Sequence, residues 1–323
     1  MQDRRLACLS LAVIAAWLFV GPLHAQTGPP IHVVFPFAAG GTGDVLARLI
    51  AGKMQDSLNR GVIVEDRPAA AGREAVSAVK AAAPDGDTLL LTPIAPMAVY
   101  PFVYTKLDYD PIKDFAAITQ LGTFDFGIAV GPQVEAKTLM ELVAWAKANP
   151  AQAKYAIPAA GTLPHFLGGL FGREAAVNLQ AVPYRGSAEA LADVVAGNVP
   201  IVITPTSDLV QTYKSGHIRV LATSGRGRSP FLTDVPTFRE AGYRLAATGW
   251  YGVFAPAKTP ADVIERLNKA IVTAVRSRDV ETQLLALGLQ PTGTTAAEFA
   301  NTVQDDAQLW GPAVKASGFP PQQ

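Results

Sequence analysis

Short apolar runs alternate in this chain with segments that are apolar at helical spacing, and that alternation confines it to an α/β fold. Residues 31–37 form one such run, and the glycine-rich turn Gly40-Gly41-Thr42-Gly43 follows it. Then Val45, Leu46, Leu49, Ile50, Met54 and Leu58 recur on one face of a helix. Residues 62–65 predict a second strand, 75–82 a helix and 88–92 a third strand. A β-α-β-α-β order implies a parallel sheet covered on both faces, because each crossover lays a helix on the sheet.

The pattern resumes after Asp125. Strands are predicted at 126–130, 155–157, 181–184, 201–204, 220–223 and 250–255. Helices are predicted at 164–176 and 187–196, and Thr138 with Glu141 forms a capping box for a helix ending near Asn149. Thr259-Pro260-Ala261-Asp262 reads as a helix start, with a cap residue, Pro and an acid in order. Thr295 with Glu298 caps the last long helix. Pro and Gly punctuate the whole length, and no linker separates independent domains. The reading is two α/β lobes. Residues 26–125 plus 247–323 make lobe 1, residues 126–246 make lobe 2, and the chain crosses between them near 125 and 247.

The first 25 residues differ from the rest. Arg4 and Arg5 precede an apolar run over 6–20, and the small residue Ala25 closes the segment. This is the layout of a secretory signal peptide over 1–25, with cleavage near Ala25 and export to the periplasm. The alternative is an uncleaved anchor, but the run is short of the ~20 residues a span needs. The full chain has 27 basic and 27 acidic side chains. Without Arg4, Arg5 and Asp3 the counts become 25 and 26. No field draws such a chain to nucleic acid or to an anionic membrane.

Cys8, the only cysteine, lies in the same segment. The mature chain then has no disulfide, thiolate nucleophile or cysteine-held metal. Its histidines, His32, His165 and His217, do not stand at metal-ligand spacing. There is no G-x-S-x-G elbow and no Walker A loop, and Gly41-Thr42-Gly43 lacks the third glycine of a dinucleotide fingerprint. No catalytic residue, metal or cofactor is expected, and the chain reads as a binding protein and not an enzyme.

Two turns carry the binding chemistry. Phe37, Ala39, Gly40, Gly41, Thr42, Gly43 and Asp44 leave a strand and enter a helix. Glycines let a ligand come close, and the first helical turn offers unpaired N–H groups that suit a carboxylate. Asp44 either caps the helix or faces a ligand ammonium group. The plain alternative is a strand-to-helix turn with no ligand. Ala160-Gly161-Thr162, with Pro164 and His165 opening the next helix, repeats the arrangement in the second lobe. His165 has capping of its own helix as the simpler role. Thr92, Tyr184, Arg185, Thr204 and Thr206, at the ends of other strands, complete the candidate set. Arg67 reads as a salt-bridge residue, Trp145 and Trp310 as packing residues, and Trp250 as either a cleft wall or a hinge stiffener.

Several stretches together carry a family resemblance: 33–44 (VVFPFAAGGTGD), 64–72 (VEDRPAAAG), 83–91 (APDGDTLLL), 107–115 (LDYDPIKDF), 182–186 (VPYRG), 233–242 (TDVPTFREAG) and 250–256 (WYGVFAP). The chain resembles the Bug family of extracytoplasmic receptors, the soluble components of tripartite tricarboxylate transporters. The resemblance implies a two-lobed periplasmic-binding-protein fold, type II-like, with parallel-rich sheets, flanking helices and a ligand cleft between the lobes. It also implies a carboxylate gripped largely by backbone N–H groups at the two turns. The sequence departs from the family pattern at Ala69 to Ala75, at Thr92-Pro93, at Ile157 to Ala160, at Pro200 and at Thr204-Pro205-Thr206. These changes make the cleft wall more apolar.

The function this implies is a monomeric receptor for a small mono- or dicarboxylate that delivers it to integral-membrane permease subunits. The alternatives are a sensor subunit that presents its ligand to a membrane kinase, and an enzyme on a binding-protein fold. An unpaired buried charge is costly, so the apolar replacements favour a ligand with an apolar or aromatic body over citrate or a free amino acid.

Overall fold

The computed structural model describes residues 28–316 and 319–323. The expected signal peptide lies outside the described residues. From the N-terminal side the elements are β1 (Ile31–Phe35), α1 (Thr42–Leu58), β2 (Val62–Asp66), α2 (Arg73–Lys80) and β3 (Thr88–Pro93). A π-helical turn, Ala95–Val99, leads into the single turn α3 (Tyr100–Val103). Then come β4 (Phe115–Val130), α4 (Leu139–Ala148), β5 (Lys154–Ile157), α5 (Leu163–Glu174), β6 (Gln180–Pro183) and α6 (Ser187–Val195). β7 (Ile201–Pro205), α7 (Thr206–Lys214), β8 (Arg219–Thr223) and β9 (Thr248–Pro256) follow. The chain closes with α8 (Ala261–Val275), α9 (Arg278–Ala286), β10 (Gln290–Pro291) and α10 (Ala296–Ala316).

The strands run in the order β2-β1-β3-β9-β4-β7-β5-β6, with β8 and β10 also paired to β4. The outer groups are parallel, as the β-α alternation requires: β1 with β2 and β3, and β5 with β6 and β7. The centre is antiparallel, where β9 pairs with β3 and with β4. Residues 115–125 of β4 face β9, and residues 126–130 face β7 and β8. One long strand therefore carries the chain from one sheet region into the other.

Sequence periodicity found only the second half of β4. In its first half Phe115, Ile118, Leu121 and Phe124 are buried, a spacing of three. Register shifts between Ala117 and Thr119 and between Gln120 and Gly122 produce that spacing, because each irregularity breaks the period of two. Helix α7 was also not read from the sequence; it offers only Leu209 and Val210 as a buried apolar pair.

One large core runs through both sheet regions, and a smaller one under α6 and α7 includes Val194, Val202, Leu209 and Val220. Trp145 packs at the edge of the large core and Trp310 within it. Trp250 is buried against Phe299 and donates its indole N–H to Asp306 at 2.7 Å, so it stiffens β9 beneath α10 and does not face a cleft. Arg67 pairs with Glu65 on its own edge strand.

Candidate ligand-binding site

The carboxyl ends of β1, β3, β5 and β7 converge, and helices α1, α5, α6 and α7 begin there. Ligands of open α/β sheets bind outside these strand ends. The cavity at this point is lined by Phe35, Phe37, Ala38, Gly41, Thr42 and Gly43 from β1 and the start of α1. Pro93, Ile94 and Ala95 come from the end of β3 and the π-helical turn. Phe124 and Phe126 of β4 and Tyr251 of β9 form the floor. Pro158, Thr162, Leu163, Pro164, Ser187 and Pro205 come from the other sheet region.

The cavity holds about 550 Å³ of atom-free space counted to its mouth, of which about 50 Å³ admits the centre of a water molecule. It is a narrow space with apolar walls.

No lysine, arginine, histidine or carboxylate lines this cavity among the described residues. Four helix N-termini replace a cation. A helix start carries unpaired N–H groups and the positive end of a dipole, and at α1 the Thr42 N–H is taken by Asp208. At α5 the second position is Pro164, which has no N–H, and the His165 N–H is already bonded to the Thr162 carbonyl. Thr162 and Leu163 carry the donors that remain at that turn.

The two turns singled out from the sequence do meet across this cavity, through Phe37, Gly41, Thr42, Gly43 and Thr162. The other candidates sit around it. Ala39 and Gly40 are exposed, and the Gly40 N–H donates to the Asp44 carboxylate at 2.9 Å. Asp44 thus reaches back to the turn before its helix and pairs with Arg48 at 2.7 Å. Thr92 is fully buried and donates to the Pro93 carbonyl. The Ala160 carbonyl accepts from the Tyr104 hydroxyl at 3.2 Å. Gly161 takes a φ of +74°, and its N–H donates to His165 Nδ1 at 3.1 Å. His165 therefore caps the turn from behind; burial pushes its pKa down to about 4. Tyr184 bonds Asp193 at 2.5 Å, and Arg185 pairs with Glu189 at 2.7 Å; neither side chain reaches the cavity. Thr206 donates to the Asp125 carbonyl at 3.0 Å, at the strand crossing.

Sequence reasoning missed one residue at the centre of this geometry. Asp208, in the first turn of α7, accepts the Thr42 N–H through Oδ1 at 2.7 Å, and the Thr204 hydroxyl lies 3.4 Å from its Oδ2. Burial pushes its carboxyl up, against hydrogen bonds from the Thr42 N–H and from the hydroxyls of Ser187, Thr42 and Thr204. Tyr251 is missed as well. It is buried on the cavity floor, where desolvation and the Asp208 charge raise its phenol well above the usual range. The only signal for Asp208 was an acid two residues after Thr206, in a stretch already read as divergent.

The model of the tripartite tricarboxylate transporter family receptor matches residues 46–319. The chain belongs to that family. Protein BugT of Bordetella pertussis is 32% identical over 321 residues, with 98% of each chain covered. Among solved structures, the R. palustris Rpa4515 protein with adipate superposes at a TM-score of 0.87 with 28% identity, covering 92% of this chain and 99% of that one. MatC (Rpa3494) from Rhodopseudomonas palustris with bound malate gives 0.83 with 30% identity, covering 88% and 99%. The chain is thus a solute-binding receptor with the fold of the periplasmic receptors of this family, and not an enzyme.

Proposed function

We propose that this protein is the exported, periplasmic receptor of a tripartite tricarboxylate-type transporter. It captures a small mono- or dicarboxylate with an apolar or aromatic body and delivers it, as a monomer, to integral-membrane permease subunits. The observation that carries this reading is the cavity itself: four helix N-termini around aromatic and proline walls, with no cation. Such a site favours an anion through backbone N–H groups and disfavours a third carboxylate or an ammonium group that would find no partner. The adipate and malate bound to the two solved relatives support a carboxylate. Lobe 1 (26–125 plus 247–323) and lobe 2 (126–246) then move about the crossings near 125 and 247, where β4 changes partners. Among the described residues no helix is long and apolar enough to cross a membrane, which fits a receptor that acts outside the bilayer.

The test is to purify the protein from cells without denaturation, identify the carried molecule by mass spectrometry, and confirm it by thermal shift. A carboxylic acid with an apolar body is expected. Citrate or glutamate as the strongest stabiliser overturns the apolar-body reading, and N-terminal sequencing that finds Met1 on membrane-bound protein overturns export.

A further inference from the structure

Asp208 occupies the place where a ligand carboxylate meets the first turn. Its Oδ1 takes the Thr42 N–H at 2.7 Å. A Cβ built on Gly41 lies 3.6 Å from the same oxygen, so the carboxylate lies directly over the glycine turn. Its Oδ2 lies 3.4 Å from the Thr204 hydroxyl, which in turn stands 3.0 Å from the Ser187 hydroxyl. A backbone N–H at a helix start with a hydroxyl beside it is what a receptor supplies to a bound carboxylate. Thr42 is one of the residues that the sequence offers to a ligand, and the structure commits its N–H to a side chain of the protein.

We propose that Asp208 is a built-in replacement for one carboxylate of a dicarboxylate, so that this receptor takes monocarboxylates with an apolar tail or ring. The inference rests on the carboxylate-receptor reading above. The single carboxylate of the ligand is held at the other turn, by the unpaired N–H groups of Thr162 and Leu163. Its body lies toward Phe124, Phe126 and Tyr251. A second ligand carboxylate directed at the first turn finds the Thr42 N–H already taken by Asp208. It also meets the Asp208 charge, with no cation lining the cavity to offset either.

The experiment uses acids matched in carbon skeleton: hexanoate against adipate, octanoate against suberate, and benzoate against terephthalate. Each is titrated by calorimetry into the purified, ligand-stripped protein. In the wild type each monoacid is expected to bind at least tenfold more tightly than its diacid. Asp208→Ser empties the first-turn site and is expected to shift the ratio at least tenfold toward the diacid. Asp208→Asn keeps an oxygen for the Thr42 N–H and is expected to keep the monoacid preference.

A wild type that prefers the diacids overturns the inference and leaves the receptor reading intact. An Asp208→Ser protein that folds and keeps the wild-type ratio also overturns it. If Asp208→Ser does not fold, the wild-type ratios alone decide. If no member of either series binds, the carboxylate-receptor reading falls and the inference falls with it.

Discussion

Gly41 and Gly43 stand two residues apart and differ sharply in what they tolerate. Gly41 has an ordinary φ of −81°, and the nearest atom to an added Cβ is 3.6 Å away. A Cβ on Gly43 lies 2.4 Å from the Phe35 ring and 2.8 Å from Tyr251. Gly43→Ala is therefore expected to lower stability by about 1–3 kcal/mol through overpacking and to distort the cavity floor. Gly41→Ala leaves stability nearly unchanged. Thermal unfolding of the two variants checks the contrast, and equal melting temperatures contradict it. The left-handed glycine of this turn is Gly40, with φ of +93°, on the exposed side.

His165 gives a pH signature. Its Nδ1 must stay unprotonated to accept the Gly161 N–H, and its pKa falls from 6.5 to about 4 in the folded chain. The unfolded chain therefore binds the proton first. Stability from this residue is complete above about pH 6.5 and is lost as pH falls toward 4. The loss is up to about 3 kcal/mol, reduced by whatever solvent reaches the ring. His165→Gln is expected to flatten the stability profile between those pH values; an unchanged slope removes the assignment.

At the scale of elements, β4 and β9 do most to shape the cleft. β4 carries Phe124 and Phe126 to the cavity floor on either side of the residue where its partner changes from β9 to β7. That residue is Asp125, whose desolvated carboxyl is pushed up to about 6. The sign is opposite to that of His165. Its contribution is complete below about pH 3.8 and is lost as pH rises through 6, because the folded state favours the protonated form. Asp125→Asn should stabilise the protein at pH 7 by on the order of 1–2 kcal/mol, after discounting for its partial exposure, and do little at pH 4. Denaturant unfolding at the two pH values measures this directly, and equal effects at both count against it.

Across the whole molecule, hydrogen bonds join the two sheet regions, Gln211 to the Ala286 carbonyl at 3.1 Å among them. Ala38 N–H donates to the Arg185 carbonyl at 2.9 Å, Thr42 N–H to Asp208 at 2.7 Å, and the Tyr104 hydroxyl to the Ala160 carbonyl at 3.2 Å. Such contacts have to break for the proposed lobes to separate. A ligand that touches both sides favours the closed state by its differential affinity. Small-angle scattering is expected to match this structure with ligand present and to give a larger radius of gyration after the ligand is stripped. Identical profiles would mean that the protein does not open.

What the sequence determined by itself is local. The β-α alternation, the two glycine turns and the capping boxes depend on residues a few positions apart. The Glu141 N–H does reach Thr138 Oγ1 at 3.2 Å, and the Glu298 N–H reaches Thr295 Oγ1 at 3.2 Å. The apolar character of the wall was legible too, in Pro93, Pro158 and Pro205. What tertiary structure alone decided is which distant groups share the cavity. Asp208 and Thr42 are 166 residues apart, and no periodicity links them. The first half of β4 was hidden for a related reason, since its irregular pairing with β9 replaces the two-residue repeat that marks a strand. Helix and turn signals arise from bonds within one or two turns of chain, whereas strand partners and site partners are selected only when distant segments pack.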